Sequence, residues 1–481
     1  MSVAATLDGG GVETRRAPYV KLKPGPGRSA PEVALDQRER IHAAMIDLVG
    51  ERGYEKVTAR ALSRLSGVST RSFYKHFESK EDCFACTHQM VANRVVRQMV
   101  EARAGESGWR ERLRLAFDAF TSELARDPRA GRLLLVDVYV MGPEGLRQLR
   151  RLEETIGERI EEGIASAPGH QEDSSLLVEG MVSGMVSVAR SRLLAGREDE
   201  LPTLAGPLAD WALSLQGGPP EEGTSVYPRT TRLSRRTEAP STSSSVPPAE
   251  PSGRALVAQN ERSLLLSAVA KLVAAEGYEN VTERAIYEVA GSSRRSFAAN
   301  FDDVEDCILT ALYERTRDVL ARAAEAQAST STWASGIHRA IASICSDVGS
   351  DSVFARLHFD AIFATGVRGV ESRERLRGEI SRRLVRGAPA YARLDGPALE
   401  ASIGAVWSIL GRCVAEGQAW RTQRLAPALA YLVLAPMIGS DTAATEISRR
   451  NDFPGSSSDS EPTQSNIEQQ IGETQSCTTT E

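Results

Sequence analysis

The chain of 481 residues carries one sequence pattern twice, at a fixed offset of 224 positions. The segment Gly53-Tyr54-Glu55 returns as Gly277-Tyr278-Glu279, and about half of the residues from 53 to 83 are identical to those 224 positions later. Towards the other end, Leu204-Ala205 matches Leu425-Ala426 at an offset of 221. A repeat of this length is too long for a solenoid unit, so the pattern predicts a duplicated domain.

Three segments with the composition of disordered chain flank and separate the two copies. Residues 1–30 are rich in Gly, Pro and basic residues, residues 217–253 are dense in Pro, Ser and Thr, and residues 446–481 are polar and acidic. Such compositions bury too little apolar surface to fold. We therefore expect a disordered arm, a linker and a disordered tail.

Both copies begin with an amphipathic helix. Apolar residues follow the helical stripe at Ile41, Ala44, Met45, Leu48 and Val49, and again at Leu265, Ala268, Val269, Leu272 and Val273. No alternating run of strand length stands out in either copy, and Gly and Pro mark the breaks between helical segments. The pattern predicts an all-α fold.

Two short helices joined by a glycine turn follow the first helix. Thr58 is a capping residue for one short helix and Ser69 for the next, with Gly67 between them free to adopt positive φ. Ser79 and Asp82 have capping-box spacing at the start of a fourth helix. This arrangement is typical of the helix-turn-helix, whose second helix enters the major groove of DNA.

Charge supports a nucleic-acid site in the first copy. The whole chain has a net charge of −6, whereas residues 56–80 carry six basic residues and one acidic residue, for a local charge of +5. A local excess of this size on an acidic chain indicates contacts with phosphates.

The run from Gly53 to Asp82, with its Tyr-x-His-Phe ending and the following Ser-Lys-Glu, resembles the TetR/AcrR family of bacterial transcriptional regulators. The resemblance is strong over residues 38–88 and weaker in the second copy. It implies two tandem TetR-like modules, with helix-turn-helix domains at 35–95 and 258–318 and helical ligand and dimerisation domains at 96–216 and 319–445. It also implies a double-stranded DNA operator, a small hydrophobic effector and a homodimer. The linker at 217–253 is long enough for the two copies to pair within one chain through the helices near 178–192 and 399–416, so an intrachain pseudo-dimer is the alternative. With either pairing we expect two chains on one operator, because only the first copy is basic.

The resemblance assigns DNA contacts to nine residues of the first copy. Contacts with the DNA backbone lie at the start of the second helix, contacts with bases and backbone lie on the third helix, and one further contact lies at the start of the fourth. The nine residues are Thr58, Arg60, Ser69, Thr70, Arg71, Tyr74, Lys75, His76 and Lys80. Arg71 is placed to reach a guanine edge, and Lys80 a phosphate. Phe73 and Phe77 are expected in the core.

The second copy departs from this pattern at its contact residues. Tyr74-Lys75-His76 becomes Ala298-Ala299-Asn300, Lys80 becomes Val304, and the charge of residues 280–304 is −1. If the second copy still binds DNA weakly, the residues expected to do so are Thr282, Arg284, Arg294 and Arg295. Weak DNA binding and complete loss of it both remain open for this copy.

The sequence contains no motif that is typical of an enzyme, a metal site or a cofactor site. Cys83 and Cys86 have CxxC spacing without a second ligand pair, and no catalytic or phosphate-binding signature occurs, so we expect no enzyme activity, metal or cofactor. Irregular cysteine spacing indicates a reducing compartment, and the longest apolar run, Leu425–Ile438, is too short for a membrane span, which together favour the cytoplasm.

The favoured function is therefore a DNA-binding transcriptional regulator that reads its operator through the first copy. A repressor is preferred over an activator by family analogy alone. The alternative is a ligand- or partner-binding tandem module whose DNA-binding role is weak or lost.

Overall fold

The computed structural model describes residues 29–106, 108–164, 175–215, 253–361, 365–384, 386–390, 392 and 396–448. The regular structure of these residues is helical, and none of them lies in a β-strand, which confirms the all-α prediction. Apart from a few residues at their ends, the predicted arm, linker and tail lie outside the described residues.

The N-terminal half contains nine α-helices in the described residues. They are α1 (Ala30–Arg52), α2 (Ala59–Ser66), α3 (Thr70–His76), α4 (Lys80–Ala102), α5 (Trp109–Arg126), α6 (Pro128–Leu135), α7 (Gly142–Ile164), α8 (Ser175–Leu194) and α9 (Ala205–Ser214). Short 3-10 helices lie at Tyr54–Lys56, Asp137–Met141 and Glu198–Leu204. Helices α1–α4 form the first head.

The C-terminal half contains ten α-helices in the described residues. They are α10 (Gly253–Glu276), α11 (Glu283–Val289), α12 (Arg294–Asn300), α13 (Val304–Ala328), α14 (Trp333–Ser350), α15 (Ser352–Arg356), α16 (Gly366–Leu384), α17 (Gly396–Ala415), α18 (Thr422–Ile438) and α19 (Ser440–Ser448). 3-10 helices at Tyr278–Asn280 and Ala419–Arg421 and a π-helical turn at Leu357–Ala361 complete this half. Helices α10–α13 form the second head.

Local sequence explains how α1 begins and ends. Ser29 accepts a hydrogen bond from the Glu32 amide while the Glu32 carboxylate accepts one from the Ser29 amide, which is a complete capping box. The predicted apolar stripe is buried, with Ile41, Ala44 and Met45 fully inside. The helix ends at Gly53, whose φ of 77° is unfavourable for residues with a side chain.

The two halves pack through α8 and α9 of one half and α17 and α18 of the other, which together form the bundle. A Cβ at Gly184 would meet the Ala401 carbonyl oxygen at 2.7 Å, and a Cβ at Gly404 would meet the Ser187 Cβ at 2.5 Å, so the helices approach closely where glycine removes the side chain. Trp211 donates its indole N–H to Ser402 Oγ across this contact, at 2.9 Å.

One described helix, Gly396–Ala415, is long and apolar enough to cross a membrane. In this structure 61% of its apolar window is buried, mainly where it packs on α8. A buried core helix meets the same criteria of length and composition, and the bundle supplies the apolar surroundings that this sequence requires.

Candidate nucleic-acid interface

The turn between α2 and α3 has the geometry that its sequence predicts. Thr58 Oγ1 accepts a hydrogen bond from the Ala61 amide at 3.1 Å, and Ser69 Oγ accepts one from the Ser72 amide at 3.1 Å. Gly67 has φ 63° and ψ 22°, the left-handed conformation that glycine adopts at little cost. These three residues set the angle at which α3 leaves α2.

Aromatic side chains hold α3 against the core. Phe73 and Phe77 are 0% and 2% exposed, with ring centroids 5.6 Å apart, and the His42 ring meets Phe77 edge-on at 5.3 Å. Both phenylalanines are thus core residues, as the sequence predicts. Because one face of this short helix is fixed in this way, the opposite face is held towards solvent.

The solvent face of α3 carries four of the nine predicted DNA contacts. Thr70, Arg71, Tyr74 and Lys75 are all exposed, and 57% of Tyr74 is accessible. Ser69, Thr58 and Arg60 are also exposed, at the N-termini of α3 and α2. Seven of the nine predicted residues are therefore exposed on α2, on α3 or at their N-termini, where they offer cationic, hydroxyl and aromatic groups to solvent.

His76 and Lys80 have partners inside the protein. The His76 Nε2–H group donates to Gln37 Oε1 at 2.9 Å, which braces the end of α3 against α1. Partial burial lowers the pKa of His76, and the charges of Arg38 and Lys75 lower it further, so this ring is neutral at pH 7. Lys80 Nζ lies 4.2 Å from the centre of the Tyr54 ring and 4.0 Å from Glu81 Oε1. Phosphate contacts by these two residues stay a prediction.

Sequence reasoning missed the residue that locks α1 to α2. Arg40 is 6% exposed, and its guanidinium donates to the Ser66 carbonyl at 2.6 Å and to Asp36 Oδ2 at 2.8 Å. The helical period of the apolar residues does not reveal that an arginine is buried on the same face of the helix. The i, i+4 spacing of Asp36 and Arg40 was the only available hint.

The two cysteines of the first head differ in burial, with Cys83 in the packed interior and Cys86 half-buried. Cys83 is fully buried, and burial raises the pKa of its thiol to about 12, which opposes formation of a metal-binding or reactive thiolate. His42 contacts Thr87 Oγ1 at 2.8 Å through Nδ1, and His88 Nε2 lies 3.1 Å from the Leu134 carbonyl. No group of three metal-ligating side chains occurs within the described part of the chain.

The second head has the same turn geometry with different side chains. Thr282 and Ser293 cap α11 and α12, and Gly291 has φ 62°. Arg284 is held by Glu288 in an ion pair of 2.7 Å, whereas Arg294 and Arg295 are exposed on the first turn of α12. A duplicated head would have this local geometry; the duplication itself stays a prediction.

Comparison with known proteins finds a family that matches part of the first head. Residues 41–86 match the family of bacterial regulatory proteins described as the tetR family. The HTH-type transcriptional activator FasR of Mycolicibacterium smegmatis (strain ATCC 700084 / mc(2)155) is 24% identical over 156 residues, which cover 32% of this chain and 71% of FasR.

Solved structures also align with part of the chain. The fatty acid degradation regulator FadR from Bacillus halodurans is 16% identical, covers 36% of this chain and 97% of its own, and has a TM-score of 0.34. FadR from Bacillus subtilis in complex with stearoyl-CoA is 18% identical, with coverages of 36% and 97% and a TM-score of 0.34.

Proposed function

We propose that the chain regulates transcription by binding an operator through its first head, since residues 41–86 match the tetR family of bacterial regulatory proteins. The observation that carries the proposal is the solvent face of α3, where Arg71, Tyr74 and Lys75 are exposed on a helix fixed by buried Phe73. Such a helix enters the major groove with its outer face against the bases.

Each predicted residue has a role in this proposal. Arg71 donates to a guanine edge, while Lys75 and Tyr74 bind phosphates at the far end of α3. Ser69 and Thr70 open α3, and Thr58 and Arg60 open α2, so their hydroxyl and guanidinium groups meet the backbone on either side of the groove. His76 keeps α3 in place through Gln37, and Lys80 binds a phosphate only by leaving the Tyr54 ring.

The proposal includes an intrachain pseudo-dimer in place of the homodimer. Its support is the reciprocal pattern of ion pairs in the bundle, where Glu179 contacts Arg412 and Glu400 contacts Arg192. Glu179 and Glu400 lie 221 positions apart, and Arg192 and Arg412 lie 220 apart, so each half supplies a Glu and an Arg to the other at nearly corresponding positions. Reciprocal contacts of this kind are the signature of a two-fold interface.

The remaining parts of the proposal follow the family resemblance. A small hydrophobic effector would bind in one of the helical domains, where Phe117 and Phe120 are now fully buried. Binding would require these side chains to move, since core packing leaves little free volume. The chain would act in the cytoplasm, where the DNA is. The direction of regulation is proposed as repression, although FasR is named an activator.

A second candidate is a tandem module that binds a ligand or partner and has little DNA affinity. The observation that favours it is the second head, where Arg284 is neutralised by Glu288 and two acidic residues, Asp302 and Asp303, precede α13. The charge of +5 on residues 56–80 of the first head argues for the first candidate.

Gel-shift titration of the full chain decides between the two candidates. The probe is a labelled duplex from upstream of the protein's own coding region, with a scrambled duplex of equal length as the control. We expect specific retardation, with log K falling against log[salt] by about 0.9 for each phosphate contact. Equal, weak binding to both duplexes would favour the second candidate. A reporter gene downstream of the retarded duplex then tells repression from activation.

A further inference from the structure

The second head retains a helix that can face DNA. Its α12 is fixed on the core by Phe297, which is 1% exposed, and is braced against α10 by a 2.6 Å hydrogen bond from Ser296 Oγ to Glu261. Arg262 adds a second brace by donating to the Asn300 carbonyl at 3.2 Å. This short helix is therefore held as firmly as α3, with its opposite face turned to solvent.

The residues on that face differ in kind from those of α3. Arg295 occupies the place of Arg71, and Arg294 occupies the place of Thr70, so α12 begins with two exposed guanidinium groups. Ala298 and Ala299, both exposed, replace Tyr74 and Lys75. Arginine pairs with guanine and small apolar side chains contact the thymine methyl group, so this face selects different bases from those that α3 selects.

The second head offers few groups that could contact the phosphates and so position this helix on DNA. Arg284 is engaged by Glu288, and Asp302 and Asp303 lie where the first head has Glu78 and Ser79. Alone, this head would bind DNA weakly, because phosphate contacts supply most of the affinity. Attached to a bound first head, it would meet DNA at a high effective concentration and need only a few contacts.

The two heads belong to one chain whose halves pack together through the bundle. Arg368 of α16 holds Glu305 at 3.0 Å, which fixes the second head to its own half. Because reciprocal ion pairs join the two halves, one chain carries two unlike DNA-facing helices instead of two identical ones.

We propose that one chain binds an asymmetric operator, in which α3 reads one half-site and α12, through Arg294 and Arg295, reads a second half-site of different sequence. The proposal rests on the proposed function of the first head. A homodimer of identical heads selects a palindrome, because the symmetry of the site follows that of the protein. A pseudo-dimer of unlike heads selects two unequal half-sites about one helical turn apart, centre to centre.

Selection from a random-sequence duplex library tests the proposal. The full chain is expected to enrich a site with two different half-sites. The double variant Arg294→Ala with Arg295→Ala should still enrich the first half-site, lose the second, and bind the wild-type consensus about 5–20-fold more weakly. Arg71→Ala should lose the first half-site. The control Arg339→Ala, an exposed arginine on α14, should select the wild-type site.

The outcomes distinguish failure of the proposed function of the first head from failure of the asymmetric operator. Enrichment of no sequence by the wild type would refute the proposed function itself. A palindromic consensus, or a second half-site that survives Arg294→Ala with Arg295→Ala, would refute the asymmetric operator and leave the function of the first head intact. Native mass spectrometry of the selected duplex should give one chain per duplex. Two chains per duplex would mean that both half-sites are read by first heads, which also refutes the proposal.

Discussion

The first and second heads share the backbone of their helix-turn-helix and differ in the side chains that this backbone presents. Gly67 and Gly291 have φ values of 63° and 62°, and both third helices are capped by a serine and anchored by a buried phenylalanine. The solvent faces carry Tyr74 and Lys75 in one head and two alanines in the other.

The comparison indicates that the fold of a helix-turn-helix and its recognition of DNA depend on separate residues. Caps, turn glycines and aromatic anchors act on the backbone, and their loss would destabilise the head, by about 0.5–2 kcal/mol for a single helix cap. Exposed contact residues cost little when they change, because surface substitutions seldom alter stability by more than about 0.5 kcal/mol. Each head can therefore keep its shape while its partner preference changes, and the following variants test how far the two have diverged.

The largest effect is expected from the first reading helix. Arg71→Ala with Lys75→Ala should weaken operator binding by about 2–4 kcal/mol, as the sum of a base contact of ~1–3 and a phosphate contact of ~1. Arg295→Ala, the matched change in the second head, should cost much less, since fewer phosphate contacts accompany it. Fluorescence anisotropy with a labelled operator measures both. Equal losses of binding free energy from the matched changes would contradict the predicted difference in DNA affinity between the two heads.

Loosening the bundle should separate the heads without altering either one. The Cβ of Gly404→Ala would lie 2.5 Å from Ser187 Cβ, and we expect about 1–3 kcal/mol of destabilisation from this overlap. The control is Gly206→Ala on α9, where a Cβ meets nothing within 4 Å and helix propensity favours alanine. Thermal unfolding by circular dichroism gives the two values. A Gly404 variant as stable as the Gly206 variant would show that the halves are not closely packed there.

Acid should stabilise the fold through Glu179, since burial favours the protonated carboxyl by more than the Arg412 ion pair favours the carboxylate. Burial raises the pKa of Glu179 from 4.5 to about 7, although Arg412 partly opposes the shift. Because this folded-state pKa lies above the unfolded value, the protonated group stabilises the fold below pH 4.5, and that contribution is lost as the pH rises through 7.

Glu179→Gln removes this proton uptake and should reduce the pH dependence of stability between pH 5 and 8. The change is limited to about 1.4 kcal/mol per pH unit for one proton. Urea unfolding of wild type and variant at matched pH values gives the difference, and Glu154→Gln, exposed on α7, controls for the loss of one charge. Parallel pH curves for wild type and Glu179→Gln would rule out a role of this carboxyl at the contact.

The smallest effect concerns the salt dependence of the second head. Glu288→Ala releases Arg284 from its 2.7 Å ion pair and should steepen the slope of log K against log[salt] by up to about 1, through one added phosphate contact. Arg284→Ala should leave the slope unchanged, since the ion pair already occupies that guanidinium. Anisotropy titrations at four salt concentrations suffice. A slope that falls with Arg284→Ala would mean that Arg284 binds DNA in spite of Glu288.

Much of the first head could be predicted from short-range sequence patterns. The caps at Thr58 and Ser69, the positive φ of Gly67 and the burial of Phe73 all follow from residues a few positions apart, because the hydrogen bonds and rotations involved are local. The exposure of Arg71 and Lys75 then follows from the helical period once Phe73 is placed inside. The same reasoning predicts a second head with altered contact residues, and its role in DNA binding stays a prediction.

Other features had no local signal. His76 reads as a contact residue in the sequence, yet its ring is engaged by Gln37 on a helix 39 positions earlier. Lys80 likewise reads as a free cation and lies over the Tyr54 ring. In both cases the partner depends on how separate segments pack against each other. Neither the helical period nor the local charge gives information about that packing.

The all-α fold class and the difference in charge between residues 56–80 and 280–304 follow from the amino-acid sequence alone, because periodicity, caps and composition act over a few residues. The duplication of the head stays a prediction. Only the tertiary structure decided that Arg40 would lock α1 to α2 and that Glu179 and Glu400 would meet Arg412 and Arg192 across the halves. The pairs that cross the halves join residues more than 200 positions apart. Their formation depends on how whole helices pack, and close packing at Gly184 and Gly404 is a property of two surfaces that no single segment specifies.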